Sequence, residues 1–431
     1  MHRHHQRSRH SGVFGSDRPS SQKGGKREVT VQIQKGTACG RVSAPPSKSM
    51  GHRLLICAAL AEGESRIHGI SDSADMKATL GCLEALGAKC SLSGDTVTVR
   101  GISMKDARPS TALFCNESGS TLRFFIPLAL LSGNNVLFTG AQSLFRRPMT
   151  VYEDLCAERG LFFSRDTQSA VVRGPLKSGE FRVAGNISSQ FISGLLFALP
   201  LLEGDSIIRI TPPLESRPYI HLTLTALAAF GIRVEWLDDF TLRIPGNQKY
   251  TPREATVEGD YSGAAFLEAL NLLGGKVETE GLNPDSLQGD RVYSRFFPML
   301  SRGTPTIHIG DCPDLGPILF TVAAAKNGAV FTGTERLHIK ESDRVGAMAS
   351  ELAKFGVTVT EDGDSVVVYP SDFHAPTETL SGHNDHRIVM SLAVLATLTG
   401  GEIAGAEAVK KSFPDFFEKL ASLGISLVKH E

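Results

Sequence analysis

Two patterns of hydrophobic and polar positions alternate along the chain. In the first, an amphipathic helix ends at a glycine, and the next residues alternate between apolar and polar as they do in a β-hairpin. A glycine suits the left-handed conformation that ends many helices, and the Gly-Asp or Asp-Asp pairs in several copies suit a hairpin turn. We therefore predict six helices, each followed by a hairpin, that end at Gly87, Gly160, Gly231, Gly303, Gly356 and Gly424.

The second pattern is an apolar helix rich in small residues, then a turn that contains glycine, then one strand. Its six copies are HRLLICAALAEGESRIHGI, LRFFIPLALLSGNNVLFTG, FISGLLFALPLLEGDSIIRIT, AAFLEALNLLGGKVETEG, ILFTVAAAKNGAVFTGT and IVMSLAVLATLTGGEIAGA. Because the two patterns alternate, they predict six repeat units of mixed helix and strand, which is an α/β or α+β fold. A domain of about 150–200 residues holds three such units, so we predict two domains.

The composition favours a folded protein over a disordered or membrane-spanning one. The chain is 41% hydrophobic with a net charge of −1, whereas disordered chains have fewer apolar residues and more net charge. No apolar run reaches the length of about 18 residues that a membrane span requires. The seven cysteines include no C-x-x-C pair, which indicates reduced thiols and a cytoplasmic localisation.

Residues 1–27 differ from the rest of the chain. This segment has seven Lys or Arg residues, one Asp and four His, and it shows no hydrophobic period. We interpret it as a disordered basic tail that lacks the apolar core of a secretory signal. The remainder is acidic, which disfavours a nucleic-acid partner.

Polar segments rich in Gly, Ser, Asn and Asp precede the six apolar helices. They are PPSKSMGHR (45–53), ESGSTLR (117–123), GNISSQ (185–190), EGDYSG (258–263), GDCPDLGP (310–317) and GHNDHR (382–387). Such residues cap helices, and the free N–H groups and positive end of a helix N-terminus form anion sites. Equivalent helix ends in repeated units point the same way. We therefore predict that six N-termini, with Lys48, Arg53, Arg123 and Arg387, meet in one cleft that binds small polyanions.

Further charged residues predict acid–base chemistry beside that cleft. Lys340 and Arg344 are four residues apart and share a face if the segment between them is helical. Asp314 and Glu341 are carboxylates in cation-rich segments, which keep such groups ionised and available as bases. His386 is a candidate for proton transfer. The sequence has no motif for NAD, a P-loop nucleotide or structural zinc, so none of these three groups has support in the sequence.

The motifs PPSKSMGHR, GSTLR, FRRPM, SSQF, SRPY, EGDYSGAAF, PDLGP, KESDR, NDHR and KSFPDFF occur in this order over about residues 30–431. In this the chain resembles the enolpyruvyl transferase family. The resemblance implies a two-domain inside-out α/β barrel of six βαβαββ units, three in each domain. Domain 1 would comprise residues 28–46 and 256–431, and domain 2 residues 47–255. The active site would lie in the interdomain cleft, with hinge strands near residues 46 and 255.

The resemblance also implies an activity. The enzyme would transfer the enolpyruvyl group of phosphoenolpyruvate to the 5-hydroxyl of shikimate 3-phosphate and release phosphate, without metal or cofactor. It would act as a cytoplasmic monomer on these two small molecules, with no nucleic-acid or membrane partner. Glyphosate, slightly longer than phosphoenolpyruvate, would occupy the phosphoenolpyruvate pocket.

Site residues follow from the resemblance motif by motif. The catalytic residues would be Lys48, Asp314, Glu341 and His386, with Asp314 taking the 5-hydroxyl proton and Glu341 acting at the methylene carbon. Shikimate 3-phosphate would contact Lys48, Ser49, Arg53, Ser188, Ser189, Gln190, Ser216, Tyr219, Asp314 and Lys340. Phosphoenolpyruvate would contact Lys48, Gly119, Arg147, Gln190, Arg344, Arg387 and Lys411.

Two positions depart from the family pattern, and two alternatives remain. Glu117 stands where Asn is usual, so its carboxylate must point away from the phosphoenolpyruvate pocket or pair with an arginine. Arg336 stands where an Asn that contacts shikimate 3-phosphate is common. One alternative is a UDP-N-acetylglucosamine enolpyruvyl transferase, whose reactive loop Cys is replaced here by Gln142. The other is a catalytically silent anion-binding scaffold, which would have lost Lys48, Asp314 or Glu341.

Overall fold

The computed structural model describes residues 28–103, 112–371 and 373–430. The predicted tail, residues 1–27, lies outside this part of the chain. No helix within the described ranges is both long and apolar enough to cross a membrane. All seven cysteines lie in these ranges and form no disulfide.

The described chain consists of alternating helices and strands. From residue 28 to 103 the elements are β1 (Thr30–Ile33), β2 (Cys39–Ser43), α1 (Lys48–Leu60), β3 (Gly63–His68), α2 (Ala74–Leu86), β4 (Lys89–Ser93) and β5 (Thr96–Gly101). From 112 to 256 they are β6 (Ala112–Phe114), α3 (Gly119–Ala129), β7 (Val136–Thr139), α4 (Gln142–Phe145), α5 (Thr150–Glu158), β8 (Phe162–Arg165), β9 (Ser169–Arg173), β10 (Glu180–Ala184), α6 (Ser189–Ala198), β11 (Ser206–Thr211), α7 (Arg217–Ala229), β12 (Glu235–Asp238), β13 (Thr241–Ile244) and β14 (Glu254–Thr256).

The remaining elements are α8 (Tyr261–Leu272), β15 (Lys276–Glu280), α9 (Tyr293–Arg302), β16 (Thr306–His308), α10 (Gly316–Ala325), β17 (Ala329–Thr332), α11 (Arg344–Ala353), β18 (Val359–Asp362), β19 (Ser365–Val368), β20 (Leu380–Ser381), α12 (His386–Thr399), β21 (Gly401–Ala404), α13 (Phe416–Ser422) and β22 (Leu427–His430). Short 3₁₀ helices span Leu199–Leu201, Gly289–Val292, Pro313–Leu315, Glu335–Ile339 and Ala406–Lys411. The mixed helix and strand content predicted from the sequence is confirmed.

The four-stranded sheets formed by the described strands share one design. The first two strands pair in parallel and the other pairs are antiparallel, as in β10-β11-β13-β12, where helix α6 connects the two parallel strands. The same arrangement occurs in β14-β3-β5-β4, β6-β7-β9-β8, β16-β17-β19-β18 and β20-β21-β1-β22. Strands β2 and β15 form a parallel two-stranded sheet.

The fold has two halves, which we define by two clusters of buried apolar residues, at positions 50–257 and at positions 31–42 with 265–425. The chain passes between these halves twice, at segments that lie side by side. Strand β14 pairs in parallel with β3, so distant parts of the chain share a sheet. Just beyond, Pro46 and Gly259 form an antiparallel bridge. The Ser47 amide donates to the Glu258 carbonyl at 2.8 Å, and the Asp260 amide donates to the Pro45 carbonyl at 2.7 Å. The two connecting segments therefore support each other.

Buried apolar residues form two separate clusters. One draws on residues 50–257 and includes the apolar helices α1, α3 and α6. The other draws on residues 31–42 and 265–425 and includes α8, α10 and α12. Small residues let these helices approach closely: a Cβ at Gly194 of α6 would lie 2.4 Å from the Arg123 carbonyl oxygen of α3. The small-residue pattern read from the sequence thus has a packing reason.

Five of the six predicted helix-ending glycines adopt the left-handed conformation. The φ angles of Gly87, Gly160, Gly231, Gly356 and Gly424 are all positive. Gly303 is different, because its φ of 177° is extended backbone. The left-handed prediction is therefore wrong at Gly303, where the chain leaves α9 directly for β16.

Candidate active site

The six apolar helices begin at the polar segments identified in the sequence. Five have side-chain caps, in which an N-cap oxygen accepts a backbone N–H of the first turn: Ser47, Ser118, Ser188, Asp260 and Asp385. Each such cap stabilises its helix by about 1 kcal/mol and fixes where the first turn faces. The exception is α10, which follows the short 3₁₀ helix that carries Asp314.

Residues from all six openings line one pocket, which we call the cleft. Its walls carry seven Lys or Arg side chains and four Asp or Glu side chains. The predicted residues among them are Lys48, Ser49, Arg53, Gly119, Arg123, Arg147, Ser188, Ser189, Gln190, Ser216, Tyr219, Asp314, Lys340, Glu341 and Arg387. The cleft is cation-rich and suits polyanionic ligands.

Lys48 and Arg53 lie on the first turns of α1. The Lys48 ammonium pairs with Asp75 of α2 at 2.8 Å. Burial lowers the pKa of Lys48, but Asp75 and Glu341 outweigh it and raise the pKa above its usual value. Arg53 donates to the Ser49 carbonyl at 2.6 Å, to Thr223 at 2.8 Å and to the Tyr219 carbonyl at 3.0 Å. Both cations are therefore fixed in place before any ligand arrives.

A second group of polar side chains surrounds the start of α3. Arg123 donates to the Gln190 side-chain carbonyl at 2.7 Å, and Gln190 donates to Ser120 at 2.8 Å. Gly119, the first residue of α3, lies directly beneath Arg147: a Cβ there would be 2.7 Å from Arg147 Nη1. Gly119 has no positive φ, so this close approach is its structural reason.

Asp314 is surrounded by donors on both oxygens. Arg344 Nη1 lies 2.9 Å and Lys340 Nζ 3.3 Å from Oδ1, and Arg387 Nη2 lies 3.1 Å from Oδ2. The Tyr219 hydroxyl, from the other half, lies 3.3 Å from Oδ2. Burial raises the pKa of Asp314, but the three cations outweigh it and hold the pKa well below its usual value. Asp314 is a carboxylate.

Glu341 is also ionised and reaches across the cleft. Its Oε2 pairs with Arg344 at 2.7 Å, and its Oε1 lies 3.7 Å from Arg147 Nη1. These arginines outweigh burial and hold the pKa of Glu341 well below its usual value. The two carboxylates therefore share Arg344, which places them at neighbouring points of one pocket.

The segment between Lys340 and Arg344 is not helical, so the condition for a shared helix face is not met. Residues 340–343 connect the 3₁₀ helix Glu335–Ile339 to α11, which begins at Arg344. Lys340 and Arg344 converge nevertheless, because both bind Asp314. Burial, with Arg336 and Arg344 nearby, lowers the pKa of Lys340 to about 8.

Three predicted residues do not line the cleft. Arg344 is almost fully buried beneath it, where Asp385 also binds it at 2.9 Å. His386 is buried at the start of α12: Nδ1 lies 3.7 Å from Asp385 Oδ1, neither ring nitrogen has a hydrogen-bond partner among the described residues, and burial holds its pKa well below its usual value. Lys411 lies at the edge, where its ammonium donates to the Asn384 carbonyl at 2.5 Å.

Within the described ranges, no group of three or more His, Cys, Asp or Glu side chains is arranged to hold a metal ion. The cleft offers two ionised carboxylates and fixed cations from both halves. Such a site can move protons at a bound anion and stabilise developing negative charge.

Comparison with known proteins identifies the group to which the sequence belongs. It matches the family model described as EPSP synthase (3-phosphoshikimate 1-carboxyvinyltransferase) over residues 33–297 and 299–420. The 3-phosphoshikimate 1-carboxyvinyltransferase of Clostridium kluyveri is 39% identical over 412 residues, 89% of this chain and 95% of that protein. That of Clostridium perfringens strain 13 is 40% identical over 408 residues, 89% and 96% of the two chains. The chain belongs to the EPSP synthase family.

Solved structures support the same fold. The EPSP synthase of Acinetobacter baumannii superposes with a TM-score of 0.76 at 24% identity and covers 94% of this chain and 100% of that one. The enolpyruvyl transferase NikO from Streptomyces tendae gives 0.75 at 16% identity, covering 94% and 99%.

The two departures from the EPSP synthase family pattern both make contacts between the halves. Glu117 pairs with the Lys411 ammonium and accepts a hydrogen bond from the Asn384 side-chain amide at 3.1 Å. Arg336 donates to the Ser216 hydroxyl at 2.5 Å and lies 3.5 Å from Glu215. Each departure is thus accommodated by an oppositely charged partner.

Several residues of the site were not identified in the sequence. Asp75, Asp260 and Ser262 line the cleft, and Asp290 lies behind it. Asp260 and Ser262 lie in the segment EGDYSG, where the sequence indicates only the capped start of a helix. Asp75 and Asp290 have no local signal, because a carboxylate in a first turn is equally typical of an exposed surface.

Proposed function

We propose that this cleft performs the reaction of the EPSP synthase family on shikimate 3-phosphate and phosphoenolpyruvate. The observation that carries the proposal is the pair of ionised carboxylates, Asp314 and Glu341, held in one cation-lined pocket by a shared arginine. The chain is a transferase of aromatic amino acid biosynthesis: it transfers the enolpyruvyl group to the 5-hydroxyl and releases phosphate.

The reaction is an addition followed by an elimination. Protonation of the methylene carbon of phosphoenolpyruvate makes its neighbouring carbon electrophilic, and the 5-hydroxyl oxygen adds there as Asp314 removes its proton. The tetrahedral intermediate then loses phosphate and a methyl proton. Glu341 is ionised in the empty cleft and takes up a proton as phosphoenolpyruvate draws Arg344 and Arg147 away from it. It delivers this proton to the methylene carbon and then, as a carboxylate, removes a proton from the methyl carbon, while Lys48 stabilises the charge that develops. Proton transfer by His386 stays a prediction, since its ring lies outside the cleft lining.

The two substrates divide the cleft between them. Shikimate 3-phosphate contacts Ser188, Ser189, Ser216 and Tyr219 on one side and Lys340 on the other. Phosphoenolpyruvate lies against the start of α3, with cations supplied by Arg147, Arg344, Arg387 and Lys411. In support, hydroxyl groups cluster at α6 and α7, and the guanidinium groups converge on Glu341 and Asp314.

We also propose that the two apolar clusters are two domains, residues 28–46 with 256–431 and residues 47–255. Each would contain three βαβαββ units arranged as an inside-out barrel. The recurring strand order and the two crossing segments support this division. Monomeric state and cytoplasmic localisation stay predictions of the sequence.

A phosphate-release assay tests the function. With phosphoenolpyruvate and shikimate 3-phosphate we expect release of phosphate and formation of the enolpyruvyl ether, and none with UDP-N-acetylglucosamine as acceptor. Asp314→Asn keeps the shape of the side chain but cannot accept the proton, so it serves as the matched variant. The proposal would be wrong if phosphate were released with the sugar nucleotide as acceptor, or if no phosphate were released with either acceptor.

Lys340 gives the binding of shikimate 3-phosphate a pH dependence. Its pKa of about 8 means that the ammonium is charged below pH 8 and neutral above it. The charged form attracts the phosphate, so raising the pH from 7 to 9 should increase Kd by up to about tenfold. Calorimetric titration of the unliganded protein measures this. Lys340→Met should bind more weakly with a flat profile, and a flat wild-type profile would contradict the assignment.

Shikimate 3-phosphate should also bring the two halves together. Cations exceed carboxylates on the cleft walls, so the empty walls repel each other despite their ion pairs. A ligand that offers negative charge to both sides favours closure, with rotation about the segments near residues 46 and 255. Small-angle scattering should show a smaller radius of gyration at saturating ligand. An unchanged radius would refute this.

A further inference from the structure

Asp290 is a buried carboxyl group that the reaction described above does not use. It lies in the 3₁₀ helix Gly289–Val292 and is 4% exposed. This helix packs against the start of α7, since a Cβ at Gly289 would be 2.8 Å from Pro218 Cγ. The packing brings Asp290 of one half next to Tyr219 of the other.

The Tyr219 hydroxyl stands between two carboxyl groups. It lies 3.1 Å from Asp290 Oδ2 and 3.3 Å from Asp314 Oδ2. A phenol has one proton, so it can donate to only one of these oxygens at a time. If both carboxyls were ionised, the second would face a lone pair of the phenol oxygen. Both carboxyl groups can form a hydrogen bond with Tyr219 only when one of them carries a proton and donates it to the phenol oxygen.

The surroundings decide which carboxyl carries that proton. Asp314 has three cations within 3.3 Å, so it is the ionised member. Asp290 has no such ion pair among the described residues. The Ser262 hydroxyl also faces it and lowers its pKa, but the buried Oδ1 meets no partner at hydrogen-bond distance there. The one cation beside it, Arg387, directs its terminal nitrogens to Asp314 and Ser262. Burial, followed by the charge of Asp314, raises the pKa of Asp290.

We propose that Asp290 is a neutral carboxylic acid that donates to the Tyr219 oxygen and so directs the Tyr219 proton to Asp314. Asp290 is then a positioning residue for the base, acting through Tyr219. The proposal rests on the proposed function for its kinetic consequence, but the protonation of Asp290 stands independently of any activity.

Infrared spectroscopy tests the protonation directly in the unliganded protein at neutral pH. A neutral carboxylic acid has a carbonyl stretch that carboxylates and amides lack. We expect this band in the spectrum of the wild type and its loss in Asp290→Asn. Asp285→Asn, an exposed position on the same loop, is the matched control and should keep the band. If Asp290→Asn leaves the spectrum unchanged in this region, the proposal is wrong, whatever the kinetics show.

Substitution tests the positioning role. Asp290→Ala removes the donor, and kcat should fall by about tenfold to a hundredfold. Asp290→Asn supplies an N–H donor of similar shape and should restore most of that loss. Tyr219→Phe breaks the link, so adding Asp290→Ala to it should have little further effect on kcat. The positioning role would be wrong if Asp290→Asn lowered kcat as much as Asp290→Ala does. It would also be wrong if the losses in kcat from Asp290→Ala and Tyr219→Phe were additive. If Asp290→Ala does not fold, the role is tested instead by comparing kcat of Asp290→Asn in the wild-type background and in the Tyr219→Phe background.

The outcomes separate this inference from the function. An infrared band without enolpyruvyl transfer would leave Asp290 neutral and refute the reaction. Enolpyruvyl transfer without the band would leave the reaction intact and refute the neutral acid.

Discussion

Lys48→Ala should lower kcat/KM by about a thousandfold, the largest loss that we expect from one substitution. The ammonium faces both bound anions, and each charge-assisted hydrogen bond to a buried partner contributes about 1.5–3 kcal/mol. The substitution also leaves Asp75, its partner at 2.8 Å, as a carboxylate without its cation. Steady-state kinetics with each substrate varied in turn measures the loss.

Lys48→Arg should fail almost as badly, because a planar guanidinium cannot replace a compact ammonium between two ligands. Lys77→Ala is the matched control: it removes an exposed lysine of α2 that pairs with Asp72 at 2.8 Å, and activity should not change. Near-normal turnover by Lys48→Arg would contradict the role of Lys48.

Gly119→Ala should make the enzyme resistant to glyphosate at a smaller cost to phosphoenolpyruvate binding. The wild type should be inhibited competitively against phosphoenolpyruvate. The new methyl group would lie 2.7 Å from Arg147 Nη1 and 3.7 Å from Gln190 Oε1, so the Arg147 side chain must shift. The pocket becomes shorter by one methyl group, and the longer ligand loses more contact than the shorter one.

The test compares two constants for the same variant. We expect a large rise in the inhibition constant for glyphosate and a smaller rise in KM for phosphoenolpyruvate. Since Gly119 has no positive φ, alanine imposes no backbone strain there, and the melting temperature should stay close to that of the wild type. Gly133→Ala, at a glycine whose Cβ would meet open space, is the control. Equal rises of both constants would show that Gly119 does not select by length.

The features that the sequence predicted correctly are those written in local periodicity. The six apolar helices and their polar openings were identifiable because the helical period and the capping residues lie within a few positions of each other. The left-handed turn at Gly303 was predicted wrongly, because the backbone there is extended. The parallel pairing of β14 with β3 has no local signal, because the two strands are far apart in the chain.

Within the site, the cations and the two ionised carboxylates could be predicted because they stand in distinctive motifs. The partners that tune them could not. Asp75, Asp290 and Asp385 bind Lys48, Tyr219 and Arg344 only after separate elements have packed together. A sequence shows that a carboxylate is present, but burial and the distance to a partner decide what it does.

The ion pairs within the empty cleft turn ligand binding into an exchange of counter-ions. In the empty cleft, the carboxylates of Asp314 and Glu341 form ion pairs with the cations that we assign to the substrates, which are Lys340, Arg344, Arg387 and Arg147. When a phosphate or carboxylate of a ligand takes those cations, the protein's own carboxylates lose them and their proton affinity rises. The two groups are therefore weakest as bases while the cleft is empty and become stronger as the substrates arrive. Substrate binding itself therefore raises the basicity of these two carboxylates, which the proton transfers require.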